Sequence, residues 1–392
     1  MNPTERRATL LLAAILVLRM TALFMVLPVL APWALELAGE PMLAVGLAVG
    51  GYGLTQALLQ IPFGWLSDRI GRKPVMLAGL AIFAAGSVLA RQAQDIQALM
   101  IARLLQGGGA IAAASTALLS DLTRESVRTT AMAIVGASIG GSFLLALILG
   151  PALLSLTPVP GLFVISAISA VVAMGLILLL PPAPAAQPSP AAQSSVLSTD
   201  LLSLDIGVFC LHAVLASVFV GLPLMLLELW QWPAASHWKL YLPVMLASLL
   251  PVFPLIRQLE QRGWISTALP FAVAVLSLSC LLIAQDWLWL PAALWLFFCA
   301  FNLLEASLPS LVSRWAPAGS RGRAMGVFSS AQFFGAFCGA ALAGAVLSHW
   351  NASAVMLSAA GWGSVWLLVW AVRLAVQNTF NTEAATWRRR QS

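Results

Sequence analysis

The chain has 392 residues, of which 60% are hydrophobic and only 9% charged, and its mean hydropathy is +0.93. Water-soluble domains carry roughly a quarter charged residues, so this composition excludes a string of soluble domains, which would lack a polar surface. The net charge of +6 raises the question of a polyanionic partner, but the placement of the basic residues points elsewhere.

In chain order, Met1–Thr9 is short and polar, and the apolar run behind it is too long for a cleavable signal. Apolar runs recur at 9–35, 43–66, 74–91, 96–119, 130–155, 161–181, 202–228, 238–257, 265–284, 287–312, 324–348 and 352–376. Most reach the ~20 residues that cross a bilayer as a helix. Between the sixth and seventh runs lies Pro181–Asp200, PPAPAAQPSPAAQSSVLSTD, whose composition reads as a flexible or partly polyproline tether. The expected fold is an all-α membrane protein of 12 transmembrane helices in two pseudo-symmetric six-helix bundles. Residues 1–181 form the first bundle, 182–200 a cytoplasmic linker, and 201–392 the second bundle with a short basic tail.

The charges set the orientation. With both termini cytoplasmic, the inside loops and ends hold Arg6, Arg7, Arg69, Arg72, Lys73, Arg124, Arg128, Arg257, Arg262, Arg314, Arg321, Arg323, Arg373 and Arg388–Arg390, whereas the outside loops hold only Arg91 and Lys239. This is the positive-inside asymmetry, so the basic balance reports topology and no nucleic-acid partner is expected. Cys210, Cys280, Cys299 and Cys338 all fall inside apolar runs and read as small buried hydrophobes, with no disulfide framework or metal cluster.

An internal repeat supports two halves. Arg128-Thr-Thr-Ala-Met132 returns as Arg321-Gly-Arg-Ala-Met325 at an offset of 193, and Asp68-x-x-Gly71 returns as Glu260-x-x-Gly263 at 192. Matching offsets at equivalent topological positions suggest a duplicated six-helix unit.

The loop Gly64-Trp-Leu-Ser-Asp68-Arg69-Ile-Gly71-Arg72-Lys73 resembles the cytoplasmic signature of the major facilitator superfamily, G-x-L-x-D-x-x-G-R-[RK], at every defining position. Arg103-Leu-Leu-Gln106-Gly107-Gly-Gly109 is similar to R-x-x-Q-G-x-G of its 12-helix drug–proton antiporter branch. Gly150-Pro151 resembles the end of that branch's helix-five motif. The glycine usually found four residues earlier is Ala146 here, which leaves the direction of transport open. The stretches Leu18-Arg19-Met20…Phe24-Met-Val-Leu-Pro28 and Leu119-Ser-Asp121-Leu-Thr-Arg124 look like a subgroup of efflux proteins. Some of these carry an extra soluble C-terminal domain, and the short tail here is expected to hold none. The resemblance implies that Asp68 meets the start of helix eleven across the interface, and that Arg72, with Arg69, pairs with Asp121 at the end of helix four. Together these would form a latch that stabilises the outward-facing state. A purely topogenic basic loop would explain the Arg and Lys residues but not Asp68 and the glycines.

Ionisable groups inside apolar runs are costly against lipid and usually face the bundle interior. Here they are Arg19, Arg103, His212 and Glu305, with Asn302 one turn before Glu305. Glu305, with His212, is the candidate proton site; Asn302, Arg19, Arg103 and Gln106 are further proton or substrate candidates. The alternative makes Glu305 and Arg103 or Arg19 static, compensating charges. Gly46-x-x-x-Gly50, Gly136-x-x-x-Gly140 and Gly335-x-x-x-Gly339 are small-residue spacings suited to close helix contact.

No GxxxxGK[ST] loop is present, so the chain alone is not ATP-driven, and no catalytic cluster marks an enzyme. No cofactor is expected. The expected function is secondary active transport by alternating access, as proton-coupled efflux of small amphipathic or lipophilic compounds. Its partners are a small-molecule substrate, protons and the lipid bilayer, and the protein is a monomer in the bacterial inner membrane. The alternatives are a specific exporter or importer of a metabolite, such as a sugar or amino-acid derivative, and a receptor-like protein that does not transport.

Overall fold

The computed structural model describes residues 1–38, 42–182, 198–285, 289–317 and 320–391. Among them the regular structure is helical throughout: α1 (Pro3–Phe24), α2 (Leu27–Ala38), α3 (Met42–Ile70), α4 (Arg72–Arg91), α5 (Ile96–Gly107), α6 (Ala112–Asp121), α7 (Glu125–Leu153), α8 (Val159–Leu178), α9 (Thr199–Trp230), a 3₁₀ turn (Ala234–Ser236), α10 (Trp238–Arg262), α11 (Ile265–Gln285), α12 (Leu290–Trp315), α13 (Arg321–Leu347) and α14 (Ala352–Gln391). Twelve spans among the described residues are long and apolar enough to cross a membrane. Most of the linker expected at 182–200 lies outside the described residues.

Two spans are broken helices, and composition explains both. In the first, Pro28 lacks the N–H that would continue α1, and the chain turns at Met25–Val26 before α2 resumes. In the fourth, Gly107-Gly-Gly109 separates α5 from α6, as expected of residues that weaken a helix by about 1 kcal/mol each. The last helix runs beyond the expected 352–376 to Gln391. The tail contains no glycine or proline, so nothing in its composition stops the helix.

Gly71 and Gly263, the repeat-equivalent turn glycines, have φ of +100° and +69°. A side chain resists that backbone region, so each glycine permits the chain to reverse between adjacent spans.

The ends carrying Gly64–Lys73, Arg124, Arg262 and Arg314 lie on one face, here termed the basic face; α2, the 3₁₀ turn and the end of α13 mark the far face. Within the spans before residue 182, α1 packs on α7 and α8, and α4 on α5 and α8. After residue 198, α9 packs on α13 and α14, α11 on α12 and α14, and α10 on α12. The most extensive pairings between the two sets are α3 with α13, α2 with α9, and α7 with α10.

The α3–α13 contact is a close antiparallel seam near the far face. A Cβ on Gly46 would lie 2.8 Å from both Cα and N of Gly344, and one on Gly53 would lie 3.2 Å from the Phe337 N. Leu43 N also donates to Ser348 Oγ at 3.1 Å. Towards the basic face α3 and α13 part: Gly322 and Gly326 of α13 have open space where a Cβ would stand, and Gly64 of α3 meets only Ala113 of α6. The gap between α3 and α13, here termed the cleft, thus opens towards the basic face and closes at the far face.

Candidate functional site

At the head of this cleft three polar side chains from three helices meet. His212 of α9 lies with Nε2 3.7 Å from Glu305 Oε2 of α12. The Gln332 amide of α13 sits 2.8 Å from His212 Nε2 and 3.4 Å from Glu305 Oε1. His212 Nδ1 lies 3.2 Å from the Val208 carbonyl. A carbonyl only accepts, so Nδ1 carries the proton, and Nε2 accepts from the Gln332 amide. The Glu305 side chain is 38% exposed while His212 is only 11% exposed, so the carboxylate is the member that meets the cleft.

The surroundings are aromatic. Phe301, one turn from Glu305, lies 6.0 Å from the His212 ring, and Phe143 of α7 lies 6.1 Å from Phe301. Phe143 also meets Phe24 of α1 at 5.4 Å and Phe219 of α9 at 6.3 Å. Tyr52 of α3 lies 6.5 Å from Phe333 of α13. These rings link the two sets of helices.

The arginines of the first six spans stand apart from this site. Arg19 and Arg103 are fully buried, and the partners they meet are neutral. Arg19 donates to Gln56 Oε1 at 2.6 Å and to the Gly109 carbonyl at 3.1 Å, the latter freed by the break between α5 and α6. Arg103 donates to Gln106 Oε1 at 2.6 Å and to the Ala48 and Val49 carbonyls, and it lies 4.7 Å from the Tyr52 ring centroid. Gln106 then donates to Ser87 Oγ at 2.8 Å. Arg103 thus ties α5 to α3, whereas the carboxylate of Glu305 faces a histidine. Asn302 turns away from Glu305 and donates to Ser248 Oγ of α10 at 3.1 Å. Gly150 packs against the Met25 carbonyl at the α1–α2 break, with Pro151 following inside α7.

On the basic face Arg72 sits between two carboxylates. It donates to Asp68 of its own loop, and its Nε lies 3.2 Å from Asp121 Oδ2 at the end of α6. Asp68 is 60% exposed, and α13 lies across the open cleft. Arg69 stacks over Trp65 with 3.7 Å between guanidinium and ring, and so is occupied by its own helix. Gly64 faces Ala113 of α6 at ordinary contact distance. Lys73 Nζ donates to the Leu180 carbonyl at 2.6 Å and Arg7 to the Leu179 carbonyl at 3.3 Å, capping the end of α8 with positive charge. At the equivalent place at the end of α10, Glu260 pairs with Arg314 at 2.9 Å.

Gln332 and Glu5 are the polar residues that the sequence patterns pass over. Gln332 is an amide inside an apolar span, a signal of the same kind as His212. Glu5 completes Asn2-x-x-Glu5, a capping-box spacing just ahead of an apolar run; both reciprocal hydrogen bonds are formed.

The family model described as Major Facilitator Superfamily matches residues 12–301. The chain is 44% identical over 380 residues to the inner membrane transport protein YajR of Escherichia coli (strain K12), covering 94% of this chain and 84% of that one. It is 32% identical over 353 residues to the uncharacterized transporter BU466 of Buchnera aphidicola subsp. Acyrthosiphon pisum, covering 86% and 90%. Among solved structures, a bacterial homolog to the human lysosomal transporter Spinster superposes with a TM-score of 0.75 at 14% identity, covering 96% and 98%.

Proposed function

The chain belongs to the Major Facilitator Superfamily, and we propose that this membrane transporter is a proton-coupled exporter of small amphipathic or lipophilic compounds, resembling the drug–proton antiporter branch. It works as a monomer in the bacterial inner membrane, the location that YajR's name gives for that relative. The one-sided arginines support a cytoplasmic basic face, with both termini inside.

The observation that carries the reading is the placement of Glu305 and His212, 3.7 Å apart and both touched by Gln332 of α13, beside the end of the α3–α13 seam. A carboxylate there can hold a proton or a substrate's positive group, and which of the two it holds links the two fluxes. The half-buried ring of Phe143, packed against the buried Phe301 that adjoins His212, gives this region an apolar side with few hydrogen-bonding groups, which suits lipophilic ligands.

The alternating motion is a rocking of residues 1–181 against 201–392 about the central site. The seam supports a latch in the opposite state. Gly46 faces Ala340 and Gly344, Gly50 faces Phe337 and Ala340, and Gly53 faces Phe333 and Phe337. Carrying this antiparallel register towards the basic face sets Gly64 against the glycine-bearing turn Gly322–Gly326, and Asp68 against the first turn of α13. A carboxylate at a helix N-terminus is favoured by the exposed N–H groups there, so Asp68 would hold the basic face shut when the far face opens.

The test is flux in proteoliposomes under an imposed pH gradient, read with a panel of lipophilic amines, neutral amphiphiles and sugars. Wild-type protein should move the amphiphiles only when the gradient is present, and Glu305→Gln should remove that dependence. Gradient-driven flux that survives Glu305→Gln would overturn the assignment of the coupling site.

A further inference from the structure

The α6–α7 connection is only Leu122-Thr-Arg124, and both of its ends are held by charge. Asp121, at the end of α6, accepts from Arg72. Arg124, which caps the start of α7, is held by Glu5 of α1 through three contacts. Its Nε, Nη2 and backbone N donate to the Glu5 carboxylate at 2.8, 3.2 and 3.1 Å. Glu5 is itself fixed: Asn2 N donates to its Oε2 at 2.7 Å, its own N donates to Asn2 Oδ1 at 2.8 Å, and Thr9 Oγ1 donates to its carbonyl at 2.8 Å. The Glu5 side chain is only 4% exposed, although Arg124 is 65% exposed. A carboxylate sunk at the membrane surface and given three donors from one loop is more than a helix cap requires.

We infer that Glu5 is a positioning residue of the gate, setting the α6–α7 connection so that Asp121 meets Arg72 and Arg72 in turn aims Asp68. The inference rests on the reading of Asp68 as a latch. Its physical content is a short, tied connection: Leu122 N donates to the Leu118 carbonyl at 3.0 Å and Thr123 Oγ1 to the Leu119 carbonyl at 2.6 Å, so a shift at Arg124 is passed to the last turn of α6, which carries Asp121. Arg72 shares its guanidinium between two carboxylates. When Asp121 drifts, Arg72 folds wholly onto Asp68 and draws it away from the first turn of α13.

The experiment measures opening of the basic face directly. Spin labels are placed at exposed Thr130 of α7 and Gln258 of α10, with the four cysteines replaced by alanine, in lipid nanodiscs. Wild-type protein should show two populations, a longer distance for the open basic face and a shorter one for the closed basic face. Asp68→Asn should deplete the short population about fivefold or more, the lower range of coupling between sites. Glu5→Gln should deplete it in the same direction, and Arg124→Gln, which leaves the Asn2–Glu5 cap in place, should do likewise. Glu5→Gln combined with Asp68→Asn should do no more than Asp68→Asn alone, since both act through one contact. Arg7→Gln, which removes a basic-face hydrogen bond outside the gate loop, should leave the distribution as in wild type. If Asp68→Asn depletes the short population while Glu5→Gln and Arg124→Gln do not, Glu5 does not position the gate. An additive double variant would show that Glu5 acts elsewhere, which also overturns the inference. An unchanged Asp68→Asn distribution, or no short population in wild type, would instead refute the latch itself.

Discussion

Replacing Gly46 by alanine tests whether the far-face seam is what holds this conformation. The new methyl would meet the Ala340 carbonyl and lie 2.8 Å from Cα and N of Gly344. All three atoms are backbone, so no side-chain rotation relieves the contact, and α3 and α13 must separate. Overpacking of this kind costs about 1–3 kcal/mol, a factor of roughly 5 to 150 in the ratio of two conformations. Gly136 of α7 is the natural comparison, because nothing lies within 4 Å of its Cβ position. An alanine there fits this state freely and crowds only a state in which α7 closes on its neighbours. Gly46→Ala should therefore favour the far-face-open state, and Gly136→Ala the state seen here. Distances between spin labels at Leu156 and His349, both exposed near the far face, report the balance. Unchanged distances in Gly46→Ala, or a shift in the same direction for both variants, would refute the reasoning.

Other perturbations separate buried contacts from surface ones. Gln106→Leu removes the acceptor of Arg103 Nη1 and the donor to Ser87 Oγ; unpaired buried groups cost about 1–3 kcal/mol, so reversible unfolding in detergent should show a clear loss of stability. Glu260→Gln breaks a pair whose members are 43% and 54% exposed. Exposed pairs contribute about 0–1 kcal/mol after screening, so its unfolding midpoint should stay close to wild type. Gln332→Ala takes away the amide that touches both His212 and Glu305, and should slow gradient-driven flux in proteoliposomes while leaving the unfolding midpoint near that of wild type.

The twelve spans were legible because apolar length alone marks a membrane helix, and the twelve candidate spans agree with the twelve expected runs. The breaks within the first and fourth spans follow from Pro28 and Gly107–Gly109, yet hydropathy passes over them, since neither residue type ends an apolar run. The site was harder to read for a different reason. A helix that is apolar on every face does not reveal which face turns inward, so rotation about the axis is set by packing. Asn302 and Glu305 are neighbours on α12, yet one faces Ser248 and the other His212. Arg69 and Arg72 sit in one loop, yet the first stacks on Trp65 and only the second reaches Asp121. Glu305 and His212 stood out as costly groups in apolar runs, but their meeting depends on the approach of α9, α12 and α13. Arg19 and Arg103 stood out for the same reason, and their neutral partners, Gln56, Gln106 and main-chain carbonyls, come from helices that no pairwise spacing identifies.

The most direct test of proton coupling needs no substrate. Spin labels at Thr130 and Gln258 in nanodiscs would be followed from about pH 4 to about pH 9, the range that spans ordinary carboxylate and histidine titration. If protonation at Glu305 and His212 drives the cycle, the ratio of basic-face-open to basic-face-closed protein changes across this range in wild type and stays constant in Glu305→Gln. A wild-type ratio indifferent to pH, or a Glu305→Gln variant that follows the wild-type curve, would contradict it.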